Sequence, residues 1–326
     1  MRLNVSRARL EAGPAGATPT TLAQVIQPGP KQGRPTTGLK ELSLAGLVTG
    51  APDDRGACGC QPTPDRENPV STSISELPVA VLGAGPVGLA AAARLIERGL
   101  PFFVLEAGDR AGANLLDYGH VRLFSPWQYN IDPAMAKLLE AAGWGHPARS
   151  ELPLAGDVAT RVLQPFAELP AVKAALQLRT KVVSVSREGF DKVKSKGREF
   201  APFVIRAVRD GKALELRARA VIDSTGTWNS PNPVGASGLP AIGEREAADR
   251  IFYGIPDVLG AQRARYEGRK VLVVGAGHSA ANGLLALAEL ARQVPSTKLV
   301  WSVRTPVLTR VFGGGDADAL PARGAL

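Results

Sequence analysis

The distribution of apolar positions separates an aperiodic first part of the chain from a patterned remainder. Residues 1–75 are rich in Pro, Gly, Thr and Ser, and apart from a weakly amphipathic stretch at 39–48 they lack a sustained apolar period. A segment of this composition buries too little apolar surface to offset the entropy of ordering. We therefore predict a disordered leader over 1–75. A start codon placed too far upstream would give the same pattern.

Beyond this part, one pattern of a short apolar strand, a glycine-rich turn, a helix and a second strand occurs twice. In the first copy, the β-branched run at 78–82 indicates a buried strand, the Ala- and Leu-rich run at 87–98 a helix ended by Gly99, and 102–105 the second strand. The second copy has its strand, helix and strand at 270–274, 280–292 and 298–303. Each copy is a βαβ unit, and the pair predicts an α/β fold.

The segment between the two copies has a strand-like pattern in its second half. Runs at 182–187 and 203–208 indicate strands, and Asp210-Gly211 predicts a tight turn from which 213–220 pairs back. The remaining stretches are less patterned. Residues 120–175 predict loops and two helices, and 229–268 predict a connection, marked by Pro and Gly, that contains some helix.

The first glycine-rich turn, Gly-Ala-Gly-Pro-Val-Gly at 83–88, has the spacing of a dinucleotide-binding turn. Gly83 permits the tight turn out of the strand, Gly85 lets the backbone approach a pyrophosphate, and Gly88 lets the helix pack closely on the strand. Pro86 suits the first helical position, which needs no N–H donor. Glu106, at the end of the next strand, is placed to accept a hydrogen bond from a ribose hydroxyl. We predict that these residues bind a dinucleotide at the helix start.

The second turn, Gly-Ala-Gly-His-Ser-Ala at 275–280, has the same context but a different charge. Its predicted nucleotide contacts are Gly275, Gly277, His278, Ser279 and Ala280. No acid follows the next strand, and Arg304 stands there instead. A carboxylate would repel a 2′-phosphate, whereas a guanidinium binds one, so the pattern favours NADP(H) over NAD(H). The alternative is a solvated Arg304 beside a turn that accepts either nucleotide.

Two such turns in one chain suit one flavin and one nicotinamide, between which hydride passes. The acid-bearing first turn is then the FAD site, and the arginine-bearing second turn is the NADPH site. With these motifs, residues 77–326 resemble the superfamily of two-dinucleotide-binding flavoproteins, which holds flavin-containing monooxygenases and thioredoxin-reductase-like enzymes.

Further stretches carry the same resemblance. Residues 106–112 resemble the family's acid-to-glycine segment, and residues 223–227 resemble its strand that ends in a Thr-Gly pair. The resemblance implies that Thr225 and Gly226 lie close to FAD and that the backbone of Val183 meets the adenine. Residues 119–127 resemble a stretch of bacterial flavoproteins that are sometimes encoded with arsenic-resistance genes.

The resemblance also implies an architecture of two Rossmann-like three-layer dinucleotide-binding domains, with the NADPH domain inserted in the FAD domain. We place the FAD domain at 76–235 and the NADPH domain at 236–326. In the family the chain returns to complete the FAD domain with a Gly-Asp pair, and Gly315-Asp316 lies too early to be that pair. Both domains are therefore expected to be incomplete. We therefore expect the sequence to be either a fragment or a chain that is completed by a partner or by a second copy in a homodimer.

Two departures from the family narrow the expected chemistry. The monooxygenase branch carries a Phe-x-Gly…His motif, and the matching residues 241–246 contain no His, which argues against N- or S-oxygenation of amines and sulfides. The disulfide-reductase branch carries a Cys-x-x-Cys pair near the flavin. This chain has none, which argues against dithiol chemistry of that type.

Composition and charge exclude several other classes of function. The net charge is +9, but the Lys and Arg residues are scattered and only 5% of residues are aromatic, which argues against nucleic-acid binding. No apolar run approaches the roughly 20 residues of a membrane span, so no membrane partner is expected. The two cysteines, Cys58 and Cys60, are too few for a disulfide framework or a closed zinc site. They suit the reducing cytosol, and no metal site is predicted.

The resulting hypothesis is an FAD-dependent oxidoreductase that takes hydride from NADPH and resembles a flavin monooxygenase acting on a small molecule. One rival is an NADPH-dependent flavin reductase that inserts no oxygen. The other is an inactive nucleotide-binding fragment or subunit. Arg122 is predicted to meet a phosphate or a substrate anion, with surface solvation as the alternative. No catalytic side chain is predicted.

Overall fold

The computed structural model describes residues 74–235 and 237–304, all of which fall within one compact unit. Several sequence predictions therefore lie outside the described residues: the leader except for its last two residues, the stretch 39–48, the Cys58/Cys60 pair and Gly315-Asp316. Among the described residues, no helix is long and apolar enough to cross a membrane.

The strands of the described residues alternate with mostly short helices. The strands are β1 (Val79–Leu82), β2 (Phe102–Leu105), β3 (Leu176–Gln177), β4 (Thr180–Arg187), β5 (Phe203–Arg209), β6 (Lys212–Ala218), β7 (Ala220–Asp223), β8 (Lys270–Val274) and β9 (Lys298–Ser302). The helices are α1 (Pro86–Glu97), α2 (Ala113–Asp117), α3 (Trp127–Asn130), α4 (Pro133–Ala141), α5 (Ala155–Val158), α6 (Gln164–Ala167), α7 (Pro170–Ala175), α8 (Arg263–Tyr266) and α9 (His278–Gln293). A π-helical turn, Ala159–Leu163, joins α5 to α6, and short 3₁₀ turns lie at Ile74–Glu76, Arg198–Phe200 and Ala248–Arg250.

A parallel sheet in the order β3-β2-β1-β7 forms the centre of the first half of the molecule. One face packs on the helices, where the largest fully buried side chains are those of Trp127 and Phe166. The other face packs on the antiparallel sheet β4-β5-β6 through a small cluster that includes Ile205 and Ala218. The result is a three-layer α/β arrangement, which confirms the predicted fold class.

The strand order places a crevice at the carboxyl end of β1. The chain leaves β1 towards β2 on one side, and β7 pairs with β1 on the other side, with Leu82 opposite both Leu105 and Asp223. In open α/β sheets, ligands bind where neighbouring connections diverge in this way. The turn at 83–88 therefore begins at the position where the topology itself predicts a ligand.

The antiparallel sheet confirms the predicted hairpin and corrects one strand boundary. Asp210 and Gly211 have positive φ values of 48° and 76°, as a type I′ turn requires. The predicted strand 213–220 is divided, because β6 ends at Ala218 in the antiparallel sheet and β7 begins at Ala220 in the parallel sheet. The chain thus changes sheets at Arg219, a step that an uninterrupted apolar alternation does not reveal.

The second copy of the pattern is simpler within the described residues. Strands β8 and β9 pair in parallel, and α9 packs Leu287 and Leu290 on one face of the pair. On the opposite face, Leu272, Val274 and Val300 are exposed. Up to residue 304, this half therefore has two layers, whereas the sequence predicted three.

The helices between residues 120 and 175 are more numerous and shorter than the two predicted. Helices α3, α4 and α7 have four to nine residues each, whereas α5, the π-helical turn and α6 form one continuous helical run over 155–167. Short helices show too few turns for an apolar stripe to repeat, and a π-helical turn shifts the stripe of the longer run. Pro126, Pro133 and Pro170 each lie at or just before the start of a helix.

A buried carboxylate organises the connection between β7 and β8. Glu244 is buried and accepts hydrogen bonds from Val234 N (2.9 Å), Ala241 N (2.6 Å) and the Tyr253 hydroxyl. The pKa of Glu244 lies below its ordinary value, first because the Tyr253 hydroxyl and next because the Val234 N–H donates a hydrogen bond to the carboxylate. Ionised Glu244 therefore stabilises a segment that is otherwise poor in regular structure.

Replacing Tyr253 with Phe tests this role through the pH dependence of stability. Because the folded-state pKa of Glu244 is depressed, its contribution is complete above the unfolded pKa and is lost as pH falls through the folded pKa. We expect Tyr253→Phe to lower the free energy of unfolding in urea at neutral pH, and the deficit to shrink towards about pH 3, below the ordinary Glu pKa of about 4.3. Tyr129→Phe, at a side chain 63% exposed, is the control and should be neutral at both pH values. A deficit that does not depend on pH would contradict this role.

Candidate active site

The first glycine-rich turn is held by backbone contacts that exclude side chains. Gly83 has a φ of +97°, and its N–H donates to Leu105 O at 2.7 Å. A Cβ on Gly83 would lie 2.9 Å from Ser224 O, and a Cβ on Gly88 would lie 1.9 Å from Gly83 O. Both positions therefore require glycine for close packing.

Gly85, unlike Gly83 and Gly88, is not required to be glycine by the protein's own packing. Its φ is −81°, which any residue adopts, and a Cβ there would meet no atom within 4 Å. It is the N-cap of α1, and Pro86 follows at the first helical position with its ring exposed. The open space thus lies over the positive end of a 12-residue helix, where a phosphate is favoured.

Glu106 ties this turn to the segment that follows β2. Its Oε2 accepts a hydrogen bond from Ala84 N, and its Oε1 accepts one from Gly108 N, both at 2.7 Å. Each carboxylate oxygen has a further lone pair, so the group still has capacity to accept bonds from ribose hydroxyls. Its fit to a ribose is therefore retained, and the ribose contact itself stays a prediction.

The chain after β7 comes directly alongside the first turn. The Ser224 hydroxyl donates to Leu82 O at 2.6 Å, and the N–H and hydroxyl of Thr225 both donate to Asp223 Oδ1, at 3.1 and 2.7 Å. The Thr225 N–H, followed by the Thr225 hydroxyl, lowers the pKa of Asp223. Gly226 has a φ of +66°, and a Cβ there would meet no atom within 4 Å. Thr225 and Gly226 thus lie beside the crevice, as the resemblance implied.

Val183 lies farther along the antiparallel sheet. The pairing of β4 with β5 shifts register between Val182 and Ser184, so Val183 is the residue left outside the ladder. Its side chain is 58% exposed. A bulge of this kind leaves backbone groups unpaired, which fits a backbone contact, but contact with an adenine stays a prediction.

The second glycine-rich turn reproduces the geometry of the first. Gly275 has a φ of +114°, and its N–H donates to Ser302 O at 2.9 Å. Gly277 is the N-cap of the 16-residue α9, and a Cβ there would meet no atom within 4 Å. The predicted contacts His278, Ser279 and Ala280 form the first turn of this helix. The helix accordingly begins two residues earlier than the sequence predicted.

The position of Arg304 requires a correction. Gly83 N–H meets Leu105 O and Gly275 N–H meets Ser302 O, so these two strand residues are equivalent. The residue equivalent to Glu106 is therefore Val303, and Arg304 lies one residue beyond it. The side chain of Arg304 is exposed. The sequence pattern had placed Arg304 at the acid's own position, because β9 was predicted to end one residue too late.

Arg122 and the second turn line one cleft of about 220 Å³. The cleft runs between the segment 118–125 and the start of α9, and the rings of Phe124 and His278 lie 5.3 Å apart across it. The Arg122 guanidinium donates to Leu152 O at 2.8 Å, which orients it and leaves other N–H groups for a ligand. Arg122 therefore faces the predicted nicotinamide nucleotide turn.

Sequence reasoning missed two side chains that hold the turns. Ser224 contacts the first turn, and Trp301 donates its indole N–H to Gly275 O at 2.7 Å. Both lie on or directly after the strand next to the glycine turn they hold. A donor side chain near the end of a strand that pairs with the strand before the glycine turn is the signal that could have found them.

Comparisons with known proteins agree with this geometry. The family of the NAD(P)-binding Rossmann-like domain matches residues 81–136. Among solved structures, the FAD-bound cadaverine monooxygenase DfoA of the desferrioxamine pathway of Erwinia amylovora superposes with a TM-score of 0.52 at 16% identity, over 73% of this chain and 53% of its own. This chain has the fold of the two-dinucleotide-binding flavoproteins.

Other solved structures of this fold are similar over a comparable length. A flavin-containing monooxygenase from Stenotrophomonas maltophilia is 24% identical, with a TM-score of 0.48 over 76% of this chain and 66% of its own. The bacillithiol disulfide reductase of Bacillus cereus is 19% identical, with a TM-score of 0.47 over 72% and 60%. No curated protein sequence matches the chain. The chain covers between 53% and 66% of the length of these three solved proteins.

Alanine substitutions at Gly85 and Gly88 should distinguish a glycine that is needed for packing from one that leaves space for a ligand. Gly88→Ala places a Cβ against Gly83 O, so we expect a loss of about 1–3 kcal/mol in the free energy of unfolding without any nucleotide. Gly85→Ala enters open space, so it should cost less, about 0.5–1 kcal/mol, since alanine is a poorer N-cap than glycine. Urea unfolding monitored by circular dichroism measures both. Equal losses in the two variants would show that the turn is not packed as described.

Proposed function

We propose that this protein is an FAD-dependent oxidoreductase that takes hydride from NADPH and acts as a flavin monooxygenase on a small molecule. One observation carries the proposal: two strand–glycine–helix turns in one chain, each with open space over the start of a helix. The first turn has a carboxylate at the end of the next strand, and the second has an apolar residue followed by an arginine.

The first turn fits FAD. Gly85 leaves space for a pyrophosphate at the start of α1, and Glu106 retains lone pairs for ribose hydroxyls. Thr225 and Gly226 border the same crevice. A carboxylate beside the ribose suits a dinucleotide without a 2′-phosphate, such as FAD.

The second turn fits NADPH. Gly277 leaves the equivalent space at the start of α9, and no carboxylate occupies the place of Glu106. Arg304 follows one residue later and is the proposed partner of the 2′-phosphate. Arg122, on the facing wall of the cleft, adds a second positive charge for an anionic ligand.

The flavin, when bound, supplies the redox chemistry, and the protein supplies binding and orientation. The glycine turns hold the two nucleotides by their phosphates, and the cleft between 118–125 and α9 brings the nicotinamide site next to the flavin domain. The overall balance is NADPH, H⁺, O₂ and substrate giving NADP⁺, water and oxygenated substrate. The sequence contains no Cys-x-x-Cys pair, which argues against an internal dithiol as the electron acceptor.

An absorbance spectrum of the purified chain with added FAD, followed by anaerobic NADPH, tests the proposal. Bound flavin bands that bleach with NADPH would establish both sites and hydride transfer. O₂ uptake with an oxygenated product then separates a monooxygenase from a flavin reductase, which would oxidise NADPH without oxygenated product. A chain that binds no FAD even with excess cofactor would overturn the proposal and favour a nucleotide-binding subunit that needs a completing partner.

Alanine substitutions at Gly85 and Gly277 should each lower the affinity for one nucleotide and leave the affinity for the other unchanged. Gly85→Ala puts a methyl group where the FAD pyrophosphate would lie, and we expect FAD affinity to fall about tenfold or more while NADP⁺ affinity is retained. Gly277→Ala should have the converse effect. Titrations followed by flavin fluorescence for FAD and by calorimetry for NADP⁺ measure both. Loss of both affinities in either variant would contradict the assignment of one nucleotide to each turn.

Arg304→Ala tests the assignment of NADPH. Removing a charge-assisted hydrogen bond to phosphate should raise the dissociation constant for NADP⁺ about 10- to 100-fold and leave that for NAD⁺ nearly unchanged. Arg304→Lys keeps the charge and should show a smaller increase. Equal effects on NADP⁺ and NAD⁺ would remove Arg304 from the 2′-phosphate site.

A further inference from the structure

The two glycine turns can be compared position by position because equivalent residues have the same backbone conformation and the same hydrogen bond to the next strand. In each, the first glycine has a left-handed φ, +97° at Gly83 and +114° at Gly275, and its N–H donates to the last residue of the next strand. In each, the second glycine is an extended N-cap. The peptide that joins the first glycine to the following alanine therefore occupies the same place in both turns.

That peptide is held differently in the two turns. In the first turn, Ala84 N–H donates to the Glu106 carboxylate at 2.7 Å. Gly83 O, on the carbonyl side, has a longer contact of 3.3 Å with the Ser224 hydroxyl, whose shorter bond of 2.6 Å goes to Leu82 O. The short hydrogen bond that holds this peptide is therefore on its N–H side. In the second turn, the place of Glu106 is taken by Val303, whose side chain offers no acceptor. Within 74–235 and 237–304, no residue accepts a hydrogen bond from Ala276 N–H.

The second turn has a contact on the opposite side of the same peptide. The Trp301 indole N–H donates to Gly275 O at 2.7 Å. Because a trans peptide is planar, fixing the C=O direction also fixes the N–H on the other side. Trp301 can therefore set the direction of Ala276 N–H without any acceptor near that N–H.

We propose that Trp301 is a positioning residue of the second glycine turn, where it performs from the carbonyl side the task that Glu106 performs from the N–H side in the first. This inference rests on the proposed NADPH site. The replacement of a carboxylate contact by an indole contact has a chemical reason, because a carboxylate beside the nucleotide ribose would repel a 2′-phosphate. A neutral indole holds the peptide with no negative charge and leaves Ala276 N–H available as a donor.

The substitution Trp301→Phe keeps an aromatic ring and removes the donor. Losing one hydrogen bond that orients the turn should raise the dissociation constants for NADP⁺ and NAD⁺ by the same factor, roughly threefold to tenfold. The ratio of the two constants should stay unchanged, in contrast to Arg304→Ala. FAD affinity should also stay unchanged, because the first turn has its own support from Glu106.

A second measurement uses the full chain without nicotinamide nucleotide. Hydrogen–deuterium exchange over residues 275–277 should be faster in Trp301→Phe than in the parent. The change should come from the Gly275 N–H, which is hydrogen-bonded to Ser302 O, because the turn that places it is no longer held by Trp301. The matched control is Trp144→Phe, since Trp144 also donates its indole N–H to a backbone carbonyl, Arg161 O at 2.8 Å, and belongs to neither turn. The control should change neither exchange at 275–277 nor nucleotide affinity.

The outcomes separate this inference from the proposed function. If the parent binds NADP⁺ and Trp301→Phe binds it equally well, the positioning role is overturned. It is also overturned if Trp144→Phe has the same effect, or if exchange at 275–277 does not change. If the parent binds neither NADP⁺ nor NAD⁺, the proposed NADPH site fails, while the exchange experiment still decides whether Trp301 holds the turn.

Discussion

The candidate site depends on a backbone contact that leaves no room for a side chain. The start of α1 approaches the turn after β1 so closely that a Cβ on Gly88 would overlap Gly83 O, and the chain after β7 approaches Gly83 almost as closely. Three segments thus meet backbone to backbone at the carboxyl ends of the strands of the parallel sheet. This contact sets the height of α1 above the strand ends, and therefore where its positive end lies relative to Glu106 and Thr225.

Electrostatics then distinguishes two sites that share one backbone geometry. Both helices present an open N-terminus with a glycine cap, which favours an anion in either place. What differs is the residue after the next strand: a carboxylate in the first unit, and valine followed by arginine in the second. In the proposed assignment, the same backbone geometry therefore serves FAD in one turn and NADPH in the other. The residues after the next strand would distinguish a nucleotide with a 2′-phosphate from one without it.

The parts of this arrangement that were predictable from sequence are those fixed by local chemistry. The strand, glycine turn and helix at 78–98 and the Asp210-Gly211 hairpin are each dictated by a few residues whose backbone preferences are strong. The helices between 127 and 175 were not predictable, because most are too short to show a period, because a π-helical turn interrupts the period of the longer run over 155–167, and because their burial is decided by tertiary packing. The bonds of Glu106 to Ala84 N and Gly108 N were equally hidden, since they depend on how two loops meet rather than on either loop alone.

The placement of Val303 changes how nucleotide selectivity should work. Had an arginine replaced Glu106 itself, one residue would both remove a repulsive group and add an attractive one. With valine at that place and arginine one residue beyond, the described part of the proposed NADPH site has no group that would repel NADH. Specificity by attraction alone is a difference of affinities, without a group that penalises the competitor. The site should therefore prefer NADPH by the strength of a single guanidinium contact, and an acid at position 303 would be needed to reverse that preference.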